Sequence, residues 1–116
     1  MATLVDLEHA KLHLRVDTGD EDALITGQLG AAEALSMNWI RRKVFATQDA
    51  LDAAIAALPV NQEDDAEAKL TRRGIVVNDL FVSAVLLTLG ALYANREVDK
   101  PPSAAQWLLD PLRAYA

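Results

Sequence analysis

At 116 residues, 52% of them hydrophobic, the chain has the size and apolar content of one domain around one core. Its net charge of −6 argues against adhesion to nucleic acid or to an anionic membrane, because neutralising phosphates takes clustered Lys and Arg. The absence of cysteine removes disulfides, thiolate metal sites and cysteine nucleophiles together, and suits a reducing compartment.

The opening, MATLVDLEHAK, has no basic segment ahead of a long apolar run, so no signal peptide is read there. Asp6 is placed to cap a short helix over 6–14, in which Leu7, Ala10 and Leu14 share one face. The segment DTGDED follows, with Gly19 suited to a turn and its later carboxylates standing where the positive end of a helix dipole favours them. A longer helix is therefore expected from about Asp20. Ile25, Leu29, Ala32, Leu35 or Ser36, and Trp39 with Ile40 recur along it at helical spacing, until RRK ends it with cations at the negative terminus. Gly27, Gly30, Ala31 and Ala34 leave a second face of that helix almost bare. Each glycine there costs about 1 kcal/mol relative to Ala, so the face reads either as a close approach of another helix or subunit or as an incidental weak stretch of helix.

Leu51, Ile55 and Leu58, with Thr47 as cap and Pro59 as stop, predict a helix over 48–58. The segment NQEDDAEAKLTRRG then carries four acids in its first eight residues and almost no large apolar side chain, which marks 61–74 as a solvated, mobile insertion. Ile75, Val76 and Val77 are β-branched and suit a short strand or an extended lead-in, and Asn78 or Asp79 can cap the apolar helix 80–96. Its long run, Leu80 to Ala94, is interrupted by Ser83, Thr88 and Gly90 and is shorter than the roughly 20 residues that span a bilayer, so it reads as a buried central helix. After Asn95, Arg96 and Glu97 the paired prolines of VDKPP force a turn. A last short helix capped by Ser103, with Trp107, Leu108 and Leu112 as its apolar part, is too short to stand alone and is expected to fold back on helix 80–96. Tyr93 and Trp107 are the natural aromatic partners across that turn. The fold class is thus all-α: four to five helices packed around a central apolar one, with a short extended or hairpin segment in the middle, in a single domain over 1–116.

Catalytic signals are weak. His9 and His13 stand four apart, but no third ligand follows at a useful spacing and the sequence is not H-E-x-x-H, so an exposed helical face is favoured over a metal site. DTGDED lacks the twelve-position loop of a calcium site. No G-x-S-x-G, Walker loop or G-x-G-x-x-G occurs, and nothing calls for a cofactor. Arg96 and Glu97 read first as shape-holding residues at a helix end, and Arg113 as either a cross-subunit contact or a solvent-exposed cation.

Three framing stretches carry a resemblance. DLEHAKLHLRVDTGDEDALITGQLGAAEA, the apolar helix closing in LYANRE, and LLDPLRAY together resemble the bacteriophage head-tail connector proteins, also called head-completion proteins or DNA-packaging adaptors. The family pattern is L-x-x-x-K-x-x-L-R-[VI], then D-x-L-I entering a long helix, then Y-x-N-R-E, then L-L-x-P-[YL]-R. Here it falls on Leu7, Lys11, Leu14, Arg15 and Val16; on Asp22, Leu24 and Ile25; on Tyr93, Asn95, Arg96 and Glu97; and on Leu108, Leu109, Pro111 and Arg113. Residues 44–78 match nothing in the pattern and take no role from it. The resemblance implies a mainly helical structural protein rather than an enzyme, assembled as a ring of about a dozen subunits below the portal of the filled capsid. It further implies a portal partner on one side, a tail or stopper protein on the other, and DNA passing through without tight binding. The location implied is the head-tail interface of the virion, with assembly in the host cytoplasm. An acidic wall suits such a channel, since every phosphate contact would add a counterion-release gain to binding. Head-to-tail assembly needs two different complementary patches, for which the Gly27–Ala34 face and the acidic and basic segments are candidates, together with Tyr93 to Glu97, Trp107 and Arg113. The competing reading is a helical binding module that sequesters one cellular protein through its apolar C-terminal segment.

Overall fold

The computed structural model describes residues 4–58 and 66–114. Among them helices dominate: α1 (Leu7–Leu14), α2 (Asp22–Ile40), α3 (Gln48–Ala56), α4 (Ala66–Arg72), α5 (Asp79–Ala94) and α6 (Ser103–Leu109), the last continued by a 3₁₀ turn over Asp110–Leu112. The two strands, β1 (Val44–Phe45) and β2 (Ile75–Val76), have two residues each.

Helix α5 is the axis of the body. Phe81, Ala84, Val85 and Leu89 are fully buried, and α1, α2 and α6 each pack on it. An apolar helix with no polar face is stable only when enclosed in this way; each large side chain so buried contributes about 1.5–3 kcal/mol. Asn78 starts the helix, its Oδ1 accepting the Phe81 N–H at 2.9 Å. Thr88, inside the apolar run, returns its hydroxyl to the Ala84 carbonyl at 2.8 Å, so its burial leaves no orphan donor. Ser36 does the same on α2, to Ala32 at 2.9 Å. The buried stripe of α2 is Ile25, Leu29, Ala32, Ser36 and Ile40, as its spacing predicts, with Leu35 and Trp39 half-buried beside it.

Helices α1 and α2 both end on an arginine in the left-handed region, Arg15 at φ 61° and Arg41 at φ 59°. The left-handed turn lets the orphan carbonyls of the last turn be reached: Arg15 N–H bonds to Leu12, Val16 N–H to Lys11, and the Arg41 and Arg42 N–H groups to Met37. Asp6 sits at the N-cap of α1 as expected but makes no side-chain capping bond there.

The chain's middle departs most from expectation. β1 and β2 pair parallel, Val44 with Ile75 and Phe45 with Val76, so the extended segment is not a hairpin. A parallel pair needs a crossover, supplied here by α3 and α4. Part of the stretch expected to be a mobile insertion, residues 66–72, is a helix, which raises the number of α-helices among the described residues to six; residues 61–65 lie outside the described residues. Leu51 of α3 and Ala68 and Thr71 of α4 are buried outside the main core, where α3 and α4 pack on each other. Gly74 is required by close approach: a β-carbon there would lie 2.6 Å from Leu51 Cδ1, 2.8 Å from the Thr71 carbonyl and 2.9 Å from the Phe45 ring. Thr47 caps α3 as expected, accepting from Ala50 N–H at 3.1 Å.

The C-terminal segment folds back on α5 through Ala105 and Leu109, both fully buried, with Leu108 and Leu112 half-buried against the same core. Two of its details differ from expectation. Pro102, not Ser103, is the N-cap residue of α6, and Trp107 is 80% exposed. In a seven-residue helix that rests one face on α5, the positions four apart, 105 and 109, take the core and 107 points to the opposite side.

Candidate assembly surface

Lys11, Asp22 and Tyr93, from three of the four motifs that carried the sequence resemblance, meet at one end of the body. Lys11 of α1 is buried yet charged; its Nζ meets Asp22 Oδ1, at the start of α2, at 2.8 Å. The hydrogen bond to Asp22 raises the Lys11 pKa, with burial working against it. One residue earlier, Glu21 accepts a hydrogen bond from the Tyr93 hydroxyl in the last turn of α5, and this bond, helped by burial, raises the tyrosine pKa. Tyr93 is thereby fixed to α2 rather than paired with the outward-facing Trp107, which corrects the expected aromatic contact. Asn95 ends α5: its N–H returns to Ala91 at 2.8 Å and its Oδ1 accepts the Glu97 N–H at 3.0 Å, a local turn that sends the chain away from the helix. Arg96 and Glu97 are exposed and form no ion pair among the described residues.

Gly27, Ala31 and Ala34 lie open on the outer side of α2, with Gly30 half-buried beside them. A β-carbon at Gly27 or Gly30 would meet nothing within 4 Å, so no element of the chain accounts for either glycine by close approach. A shallow apolar groove runs beside this face, floored by Gly27, Ala31 and Leu92 and rimmed by Gln28 and Arg96. Gln28 bridges its walls by donating to the Leu92 carbonyl at 3.3 Å.

At the other end of α2 the tail is bolted down. Arg113 stacks its guanidinium over the Trp39 ring, 4.4 Å from the centroid, which gives it a partner inside its own chain. Arg42 donates from Nε to the Leu112 carbonyl at 2.9 Å and from an Nη to the Arg73 carbonyl at 2.8 Å, and Ala114 N–H bonds to Ile40 O at 2.8 Å. One arginine thus ties together the end of α2, the exit of α4 and the tail. Sequence reasoning grouped Arg42 with its neighbours as a helix-end charge; nothing local shows that its partners lie 31 and 70 residues away. Glu33 was missed for the same reason. It is buried on α2, accepts the Val5 N–H at 2.8 Å, and so pins the segment before α1; burial pushes its carboxyl pKa up, while the backbone donors of Val5 and Leu4 pull it down.

Among the described residues no group of three His, Cys, Asp or Glu is arranged to hold a metal, and His9 and His13 are both exposed. No described helix is long and apolar enough to cross a membrane. The residues brought together are groups that hold helices and shape surfaces.

Comparison with known families gives one decisive match: the phage gp6-like head-tail connector proteins, over residues 4–106. The chain belongs to that family. The connector family is a structural one, and membership makes the protein a structural component of the phage virion that works with other head and tail components. The match runs through residues 44–78, so the middle segment that the framing motifs left unassigned lies within the family region. No curated protein and no solved structure matches the chain.

Proposed function

We propose that this connector protein forms a closed ring of about a dozen copies below the portal, extends the channel through which the genome passes, and joins the head to the tail or stopper protein without catalysing a reaction. Family membership over residues 4–106 carries the proposal. The framing motifs Lys11, Asp22 and Tyr93 support it, since they lock α1, α2 and α5 into one rigid unit suited to tiling. Gly27, Gly30, Ala31, Ala34, Asn95, Arg96, Glu97 and Trp107 are then the exposed or half-exposed candidates for contacts with neighbouring copies, portal or tail. Tyr93 and Arg113 act from inside the subunit. Assembly takes place in the host cytoplasm and the product resides at the head-tail interface. The net charge of −6 supports a channel wall to which DNA does not adhere.

Phage carrying a disrupted copy of this gene should accumulate DNA-filled heads and free tails that fail to join, visible by electron microscopy, with joining restored by the intact gene. Normal tailed virions from the disrupted phage would refute the proposal.

A further inference from the structure

In a chain of net negative charge, most of the cations gather in one place. Arg42 reaches the Arg73 carbonyl and Lys43 N–H bonds to Leu70, so the end of α2 and the end of α4 meet. This brings Arg41, Arg42, Lys43, Lys69, Arg72 and Arg73 to one junction, with Arg113 beside it on Trp39: seven of the chain's 11 Lys and Arg. Lys43 pairs with Glu67 at 2.7 Å and Arg42 is occupied with carbonyls. Arg41, Lys69 and Arg72 are exposed, and no carboxylate pairs with them among the described residues. The dipoles of the two converging helix ends amount to about half a charge each, far less than the cations present. The excess faces outward.

The opposite end of α2 has the opposite sign. Asp17, Asp20, Glu21 and Asp22 cluster where the helix begins; Glu21 and Asp22 are taken by Tyr93 and Lys11, while Asp17 and Asp20 are exposed and unpaired among the described residues. Arg15 and Arg96 are exposed cations at this end and Glu97 a further exposed acid, so the acids outnumber the cations there. Nineteen helical residues separate the two ends, about 28 Å at 1.5 Å per residue, well beyond a Debye length at physiological salt. The two patches therefore cannot neutralise each other within one molecule.

We infer that the cationic junction of one copy, Arg41 with Lys69 and Arg72, docks the acidic turn of a second copy at Asp17 and Asp20, so that α2 serves as the polar axis of a head-to-tail contact. This rests on the ring reading above and names the surfaces that meet. Two different patches on one rigid element make a heterologous interface, the kind that propagates around a ring. A patch that bound DNA would offer cations without a matching acidic patch on the same chain, so the pairing favours a second copy over a nucleic acid.

The test is a charge swap. Sedimentation velocity on the full chain should show association that weakens at least tenfold between about 50 mM and 500 mM NaCl, as screening of exposed charges requires. The double variants Arg41→Glu/Arg72→Glu and Asp17→Lys/Asp20→Lys should each lose self-association at least tenfold, with unchanged circular dichroism and only the small loss of melting midpoint that reversing charges at helix ends brings. Mixed in equal amounts they should assemble again, because every contact in an alternating array is then oppositely charged. Variants that assemble like the wild type would overturn this inference and leave the ring reading standing. So would loss of binding to a DNA duplex by Arg41→Glu/Arg72→Glu with association unchanged. A wild-type chain that never associates, alone or on a portal, would defeat both.

Discussion

The body built from α1, α2, α5 and α6 and the excursion from β1 to β2 use the same residue types but are held together differently. The body buries Phe81, Ile25, Leu29, Leu89 and Leu109 completely in one continuous core. Among its described residues the excursion buries only Leu51, Ala68 and Thr71 outside the main core, and it hangs on backbone hydrogen bonds at its root: Lys43 to Leu70, Ile75 to Lys43 and Val77 to Phe45. Close packing makes both regions sensitive to a lost side chain, but a loss in the body is felt by the whole continuous core, whereas a loss in the excursion is felt by few buried residues. The body supplies rigidity; the excursion is the part of the subunit that can differ without loss of the helical frame.

That contrast can be broken most severely at Phe81. Phe81→Ala should destabilise the whole protein by about 3–5 kcal/mol, and thermal unfolding followed by circular dichroism should show a single large drop in midpoint. Leu51→Ala should cost about 2–3 kcal/mol, near the low end for a buried leucine, with hydrogen exchange rising in α3 and α4 while α5 stays protected. Equal loss of protection in α5 would show that the two regions are one cooperative unit. Gly74→Ala should cost about 1–3 kcal/mol through overpacking against Leu51, Phe45 and the Thr71 carbonyl, again confined to the excursion in an exchange experiment.

Gly27→Ala sharpens the comparison from the other side. Open space surrounds Gly27, so the isolated subunit should gain about 1 kcal/mol in chemical denaturation. A gain in the subunit accompanied by weaker assembly would locate a neighbouring copy against that face. The smallest effect is expected at Glu33. Its folded-state pKa is raised by burial, so its favourable contribution is complete below the unfolded value and is lost as pH rises through the folded one. Wild type should therefore gain stability relative to Glu33→Gln as pH falls from 7 towards 4, and the amide can still accept the Val5 N–H. Melting curves of both proteins across that range measure the difference.

The body was legible because apolar side chains at helical spacing marked α2 and α5, Asn78 marked a helix start, and the paired prolines marked the turn before α6. In the excursion only α3 was legible, from its Thr47 cap and the spacing of Leu51 and Ile55; the rest was not. Its acids and small residues read as solvated chain, and α4 is held by packing on α3, with Ala68 and Thr71 buried, an arrangement that no local periodicity announces. Trp107 was misplaced because size suggested burial, whereas the seven-residue helix has room to bury only Ala105 and Leu109 on α5. At the candidate surface the bare face of α2 could be read directly from Gly27 to Ala34. The Arg42 bridge and the Glu33 anchor could not, because their partners are backbone groups far along the chain.

Whether the subunit closes into an annulus is decided most directly by measuring the mass of the purified protein at high concentration, with and without portal, together with negative-stain images of the same samples. The account predicts a discrete species at a fixed multiple of the 12.6 kDa chain, with a central opening, formed alone or on the portal. A single 12.6 kDa species under every condition, never joining a portal, would contradict it.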